Sequence, residues 1–261
     1  MKQRVITGVI AAALFLPIVI FGGIPFIIVT YVLATIGLFE LLRMKRVQLL
    51  SPESVVSFLL LWGLLLRSSW LDNVHLEKME LLLLAVLFVL IYTVTTKNRF
   101  TFDDAAFSLL ATLYVGFGFY YFMETRLAGL HYMFYALFII WATDTGAYFT
   151  GRAFGKRKLW PEISPNKTVE GSIGGTICAL VVAIVYQLCT HFFASIPWLL
   201  VMTVVLSIVG QLGDLVESAF KRHYNVKDSG NILPGHGGIL DRFDSLLFML
   251  PILHLFMSMV L

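Results

Sequence analysis

Charge is what this sequence has least of. Asp, Glu, Lys and Arg make up 13% of its 261 residues, about half the ~25% of a soluble globular domain. Apolar residues reach 59%, against roughly 45–50% in such a domain. That balance excludes an ordinary water-soluble fold, so the usual conversion of length into soluble domains does not apply. Cysteine is nearly absent too. Cys178 and Cys189 lie in one apolar run, and the helical rise between them is roughly 16 Å, beyond disulfide reach. Packing is their expected role. No Cys/His zinc spacing and no H-E-x-x-H occurs, which removes the common zinc chemistries. There is no low-complexity linker, no soluble domain and no convincing internal repeat.

Long apolar runs fill the space that charge leaves. Lys2 and Arg4 precede Val5 to Phe21, which resembles a signal peptide. Gly22-Gly23-Ile24-Pro25 then leads straight into Phe26 to Leu42 with no convincing cleavage site, so a retained helical hairpin is expected. Further candidate spans are 55–71, 79–95, 105–123, 130–150, 171–191, 196–217 and 239–261. A span needs ~20 mostly apolar residues. The 55–71 run is the weakest, because Arg67 interrupts it, though its side chain could snorkel to the interface. The expected fold is therefore all-α, a polytopic integral membrane bundle of about nine transmembrane helices. It forms one membrane domain over 1–261. Residues 1–123 supply the N-terminal spans, and 124–261 the spans and cytoplasmic loops that carry the active site.

Lys and Arg set the orientation. With a cytoplasmic N-terminus and nine spans, sixteen of the nineteen fall on the inner side and Arg67, Lys78 and Arg126 on the outer. That is a strong positive-inside bias. Both long polar loops, 151–170 and 219–238, then face the cytoplasm. Arg43-Met-Lys45-Arg46 and Lys97-Asn-Arg99 read as topology determinants.

The chain converges on Gly210 to Asp244. This stretch holds nine of the 35 charged residues: Asp214, Glu217, Lys221, Arg222, Lys227, Asp228, Asp241, Arg242 and Asp244. Gly210 to Arg222 reads as a helix end, with Asp214, Ser218 and Lys221 on one face. Asn225 to Gly238, with its glycines and Pro234, must turn. A new helix starts near Ile239, where the dipole favours Asp241 and Asp244. That favourable dipole is the plain reading of the two carboxylates. The sharper one is metal chemistry: Mg²⁺ is usually held by one or two carboxylates plus substrate phosphates and water. Asp214 and Asp241 could share one ion while Lys221, Arg222 and Lys227 neutralise phosphate.

Other motifs carry paired readings. Asp144 is an ionisable group in an apolar span, which is usually functional or paired. Gly151 to Lys158 has the wrong spacing for a Walker A loop and reads as a basic cluster drawing anionic lipid. In Ser164-Pro-Asn-Lys167-Thr-Val-Glu170, Asn166 or Thr168 is a candidate helix cap and Lys167 a candidate phosphate contact. Glu170 could orient Lys167 or reach a metal. Gly171, Ser172, Gly174 and Gly175 allow close helix packing or room for a phosphate. His75, His131, His191 and His254 read as structural, and His223 as solvated. His236 could hydrogen-bond the loop or a phosphate.

The ordered string S-A-F-K-R, then K-D, then L-P-G-H-G-G-I-L-D-R-F-D, from Ser218 to Asp244, resembles the signature of phosphatidate cytidylyltransferases, or CDP-diacylglycerol synthases. Ser164 to Gly171 and the layout of the whole chain are similar to that family as well. The resemblance implies that CTP and phosphatidic acid give CDP-diacylglycerol and pyrophosphate in phospholipid biosynthesis, on a bacterial plasma membrane. It implies Mg²⁺ and admits a monovalent cation such as K⁺ beside it. It also admits a homodimer, which no motif here requires. No nucleic-acid partner is expected. Asp214 and Asp241 are then the expected metal ligands, with Asp244 a further ligand or an outer partner. Asp214, Ser218, Lys221, Asp241 and Asp244 form the catalytic set. Asp144, Lys167, Arg222, Lys227, Asp228, His236 and Arg242 contact substrate. The rival classes are a transporter of an anionic solute and a related CTP-dependent enzyme acting on another membrane lipid.

Overall fold

A computed structural model describes residues 2–66 and 77–260 of the chain. Inside a bilayer every backbone N–H and C=O needs an internal partner, which leaves helices as the way for such apolar runs to cross. Nine helices appear among the described residues. They are α1 (Lys2–Phe21), α2 (Gly23–Met44), α3 (Pro52–Leu65), α4 (Lys78–Thr95), α5 (Phe102–Ala128), α6 (Leu130–Phe154), α7 (Val169–Thr190), α8 (Ile196–His223) and α9 (Leu240–Val260). Each coincides with one predicted run. Six of them, α2, α4, α5, α7, α8 and Leu240–Met259 of α9, are long and apolar enough to cross a membrane. The protein is an all-α polytopic integral membrane protein.

Three helices differ from the simplest expectation for physical reasons. Helix α3 has 14 residues, short for a span; Arg67 and the rest of the predicted run to 71 lie outside the described residues. The apolar part of α1 is also short, Ile6–Phe21. Helix α6 is long, but Thr143, Asp144, Thr145, Gly146 and Thr150 dilute its apolar character.

Gly22 and Gly23 take φ of 67° and 61°, a left-handed turn that glycine adopts without a Cβ penalty. It folds α2 back on α1. Arg126 of α5 closes the other side, donating from Nε to the Val19 carbonyl at 2.5 Å and from Nη2 to the Ile20 carbonyl at 2.8 Å. These are the orphan carbonyls of the last turn of α1.

Helix α5 is central, packing on α2, α3, α6 and α9. Phe119, Phe122 and Tyr135 are among the largest fully buried side chains. Helices α6 and α7 run together along most of their length. A Cβ on Gly175 would enter the Thr143 carbonyl and the Ala147 backbone, and one on Gly174 would enter the Thr150 side chain. Small residues thus let the two backbones meet, as the sequence leads one to expect. Hydroxyls tie α6, α7 and α8: Thr143 and Thr176 each meet Ser207 at 3.0 Å, and Tyr135 meets Thr203 at 2.7 Å.

The loop between α6 and α7 contains an unforeseen antiparallel hairpin, β1 (Lys158–Trp160) and β2 (Ser164–Thr168). Glu170 fastens it, accepting from the backbone N–H of Lys156 at 3.0 Å and of Arg157 at 3.2 Å. That bonding gives Glu170 a place in the hairpin's own scaffold.

Candidate active site

The hairpin and the ends of α6, α7 and α8 enclose a cavity of about 470 Å³, within the ~300–1,000 Å³ usual for ligand sites. Its walls are Asp144, Tyr148, Gly151 and Arg152 from α6, Leu159, Asn166, Lys167 and Thr168 from the hairpin, Gly171 and Ser172 from α7, and Gln211 and Asp214 from α8. Thr168 caps α7: its hydroxyl accepts from Gly171 N–H at 3.1 Å, satisfying one orphan donor of the first turn. The cap fixes the neighbouring Lys167, whose Nζ lies 2.6 Å from an Asp214 carboxylate oxygen. Ser218, one turn further along α8, stands 3.4 Å from the other Asp214 oxygen.

Asp144, Asp214 and Asp244 lie close enough to feel one another's charge. Lys167 and Arg242 moderate that repulsion at Asp144, and Lys221 does so at Asp244. One Asp244 oxygen accepts from Ser245 N–H at 2.7 Å. Among the described residues no group of three or more His, Cys, Asp or Glu side chains closes into a metal cage.

A second cluster stands beside this one, and its groups are already committed to each other. Lys221 Nζ is 2.5 Å from Glu217 and 2.6 Å from Asp241 Oδ1. Asp241 Oδ2 accepts from Ser229 N–H, Ser229 Oγ and Gly238 N–H, each at 2.8 Å. Both oxygens of Asp241 therefore accept from protein donors, and Oδ1 meets Lys221 two turns of α8 away from Asp214. Glu217 and Asp241 are 1% and 6% exposed.

The remaining predicted residues sit around these clusters. Arg222 donates from Nε to the Ile163 carbonyl at 3.3 Å, tying the end of α8 to the hairpin. Arg242 donates twice to the His236 carbonyl, at 3.0 and 2.7 Å. The His236 imidazole lies beside Gly8 of α1; its Nδ1 has no hydrogen-bond partner among the described residues. Lys227 and Asp228 line a separate small cavity of about 170 Å³ with Asn231, Leu233, Pro234, Gly235 and Gly237. The structure thus gathers Asp144, Lys167 and Asp214 at the large cavity, with Ser218 beside Asp214 and with Asp244 and Arg242 in electrostatic reach. It puts Lys221 and Asp241 in the adjoining cluster and Lys227, Asp228 and His236 in the loop.

Sequence reasoning did not single out Tyr148, Gln211 or Glu40. Gln211 Nε2 reaches Thr176 Oγ1 at 3.3 Å and Ser207 Oγ at 3.4 Å. Glu40, 1% exposed on α2, accepts from Ile239 N–H at 2.9 Å, Leu240 N–H at 2.9 Å and Ser229 Oγ at 3.0 Å. The signal for Glu40 was present: a carboxylate in an apolar span is costly and wants a reason.

A family model described as the cytidylyltransferase family matches residues 2–260. The chain is 55% identical over 264 residues to the phosphatidate cytidylyltransferase of Bacillus subtilis (strain 168), covering 99% of this chain and 98% of that protein. It is 54% identical to the protein of the same name from Staphylococcus haemolyticus, covering 98% of each. The corresponding protein of Staphylococcus saprophyticus is 50% identical, covering 100% of both chains.

Proposed function

The chain belongs to the cytidylyltransferase family, and we propose that it transfers the CMP unit of CTP to phosphatidate, giving CDP-diacylglycerol and pyrophosphate in the membrane. It is a CTP-using nucleotidyltransferase. Family membership sets aside the rival reading of an anion transporter.

The observation that carries the site assignment is the ion pair between Lys167 and Asp214 in the cavity wall, 2.6 Å long with side chains 28% and 34% exposed. An ion pair this wet contributes only about 0–1 kcal/mol. It exchanges partners readily: Lys167 can move to a phosphate oxygen and leave Asp214 to a cation. In the reaction a phosphate oxygen of the lipid attacks the α-phosphorus of CTP. The new P–O bond forms as the bond from the α-phosphorus to the bridging oxygen breaks, and pyrophosphate leaves with that electron pair. The lipid phosphate is already ionised, so no strong general base is needed. Both reactants are polyanions, and catalysis is mostly positioning and charge stabilisation.

The roles follow from the partners. Lys167 and Arg152 neutralise phosphate, with the first turn of α7 beside them favouring anions. Ser218 orients Asp214. Asp144 shapes the cavity from α6, and Arg242 balances its charge. Arg222 holds the hairpin over the cavity. Lys221 and Asp241 fix α8 against α9, and a direct phosphate contact by Lys221 requires it to release one carboxylate.

Carboxylates that repel one another without closing into a cage suit an ion completed by phosphate oxygens and water, which is the habit of Mg²⁺. Asp214 and Asp244 are the residues we propose hold it, since Asp241 is already engaged by Lys221, Ser229 and Gly238. When bound, the ion supplies charge neutralisation between the two substrates. A K⁺ ion beside it, a cytoplasmic N-terminus and cavity, and a homodimer belong to the same proposal. The test is transfer of label from CTP to a chloroform-soluble product by purified protein in detergent. Activity is expected with phosphatidate and Mg²⁺, with loss on chelation and return on adding Mg²⁺. Equal or better transfer to an unrelated membrane lipid overturns the substrate assignment.

A further inference from the structure

Glu40 is absent from the machinery above, yet it is among the most deeply engaged carboxylates in the structure. It projects from α2 near its Met44 end, and its contacts lie 189 to 200 residues away in sequence. Each oxygen is spoken for: Oε1 by Ile239 N–H, Oε2 by Leu240 N–H and the Ser229 hydroxyl. Among the described residues no Lys, Arg or His pairs with it. A carboxylate buried without a counter-ion costs several kcal/mol unless hydrogen bonds replace water, so these donors define where it must sit.

The donors are the first amides of α9 and the loop before it. Glu40 therefore acts as the cap of α9, supplied by another helix, where a negative charge also meets the favourable end of the dipole. The loop is built around it. A Cβ on Gly230 or on Gly238 would run into the Glu40 carboxyl group, so glycines there let the loop backbone close over it. Ser229 links Glu40 to the site: its Oγ lies 3.0 Å from Glu40 Oε2 and 2.8 Å from Asp241 Oδ2. One hydroxyl carries one hydrogen, so the two carboxylates share it and their placements are coupled. Asp241 in turn binds Lys221 on α8. The turn of α9 that carries Asp241 and Asp244 is thus registered from one side by Glu40 and from the other by the helix that carries Asp214.

We propose that Glu40 is a positioning residue of the transfer reaction: through Ser229 and the first turn of α9 it sets Asp244 against Asp214. The inference rests on the CTP-dependent transfer proposed above. Glu40→Gln keeps the shape but turns one acceptor into a donor facing an N–H, which displaces the start of α9. Groups that orient the primary ligands of a site change activity about 10–100-fold when altered. The expected result is a kcat lowered by about that factor per folded molecule, with KM for CTP and phosphatidate within about twofold, because the cavity walls are untouched.

The experiment measures kcat and KM for wild type, E40Q, S229A and the double variant, each normalised to the monodisperse peak in detergent. The double variant is expected to lose less than the product of the two single losses, since both cut one chain of contacts. Wild-type kcat per folded molecule in E40Q, or strictly multiplicative losses, overturns the inference. If E40Q yields no monodisperse peak, S229A decides alone: lowered kcat at unchanged KM supports the chain of contacts, and unchanged kcat refutes it. A wild-type chain that makes no CDP-lipid overturns the proposed function itself, whereas an active wild type matched by E40Q removes only the role of Glu40.

Discussion

Replacing Lys221 with methionine separates what that residue does for the fold from what it does for the reaction. Lys221 is 15% exposed and lies between carboxylates that are 1% and 6% exposed. The two partners differ in what remains after it goes. Asp241 keeps three donors on Oδ2. Glu217 keeps none: its Oε1 already lacks a partner among the described residues, and its Oε2 loses the ammonium. Stripping the partner from a buried charge costs about 3–5 kcal/mol, which is roughly two to nearly four powers of ten in the unfolding equilibrium. Almost all of that is assigned to Glu217, so Lys221→Met combined with Glu217→Gln should recover more than half of the lost stability. Thermal unfolding in detergent, followed by tryptophan fluorescence and the monodisperse peak, measures both. CTP-dependent turnover should stay low in the stabilised double variant, because methionine cannot hold Asp241 and so leaves the first turn of α9 unregistered against α8. A single variant as stable as wild type, or a double variant no better than the single, refutes the reasoning.

Three further outcomes follow from the geometry. Asp214→Asn should lower CTP-dependent transfer by about 10²–10³-fold, the scale of losing a preorganised electrostatic group, while the detergent-solubilised protein stays folded; full activity removes Asp214 from the site. Gly175→Leu drives a side chain into the Thr143 carbonyl and Ala147 and should cost about 1–3 kcal/mol by overpacking, read as a lower midpoint of thermal unfolding. Thr168→Ala deletes the cap of α7, costing about 1 kcal/mol; loosening Lys167 beside it should raise KM for CTP more than it lowers kcat, which steady-state kinetics at saturating phosphatidate resolves.

Nearly every helix could be read from the sequence, because a run too apolar for water has one way to satisfy its backbone in lipid. The turn at Gly22-Gly23 and the stop after Arg222 were legible for the same local reasons. The β1–β2 hairpin was not: its first strand has three residues, and the second contains Pro165, so neither offers an alternating pattern. Spacing put Asp241 and Asp244 one turn apart at a helix start, but it could not say that Asp241 would be consumed by the loop. Those donors exist because Gly235 and Gly237, at φ of 77° and 84°, curl the chain back so that Ser229 and Gly238 face one carboxylate. Glu40 lies in an apolar run as Asp144 does, yet it was passed over. Its partners are far off in sequence, and no local pattern points to them.

The difference between Asp214 and Asp241 explains why similar residues in one polar stretch divide their labour. A carboxylate that accepts from three protein donors and an ammonium has exchanged its water for the protein, and a substrate offers it nothing it lacks. Such a group is worth keeping where rigidity is needed, at the junction of α8, α9 and the loop. Asp214 has one ammonium and one long contact to a hydroxyl, and a third of its side chain still meets solvent. Its interactions are weak enough to exchange for a cation and a phosphate without unfolding anything. Incomplete satisfaction inside a cavity, set beside complete satisfaction in the wall behind it, is the arrangement expected of a site that must bind charge and release it. In this chain the two conditions are met on neighbouring helices, by Asp214 on α8 and Asp241 on α9.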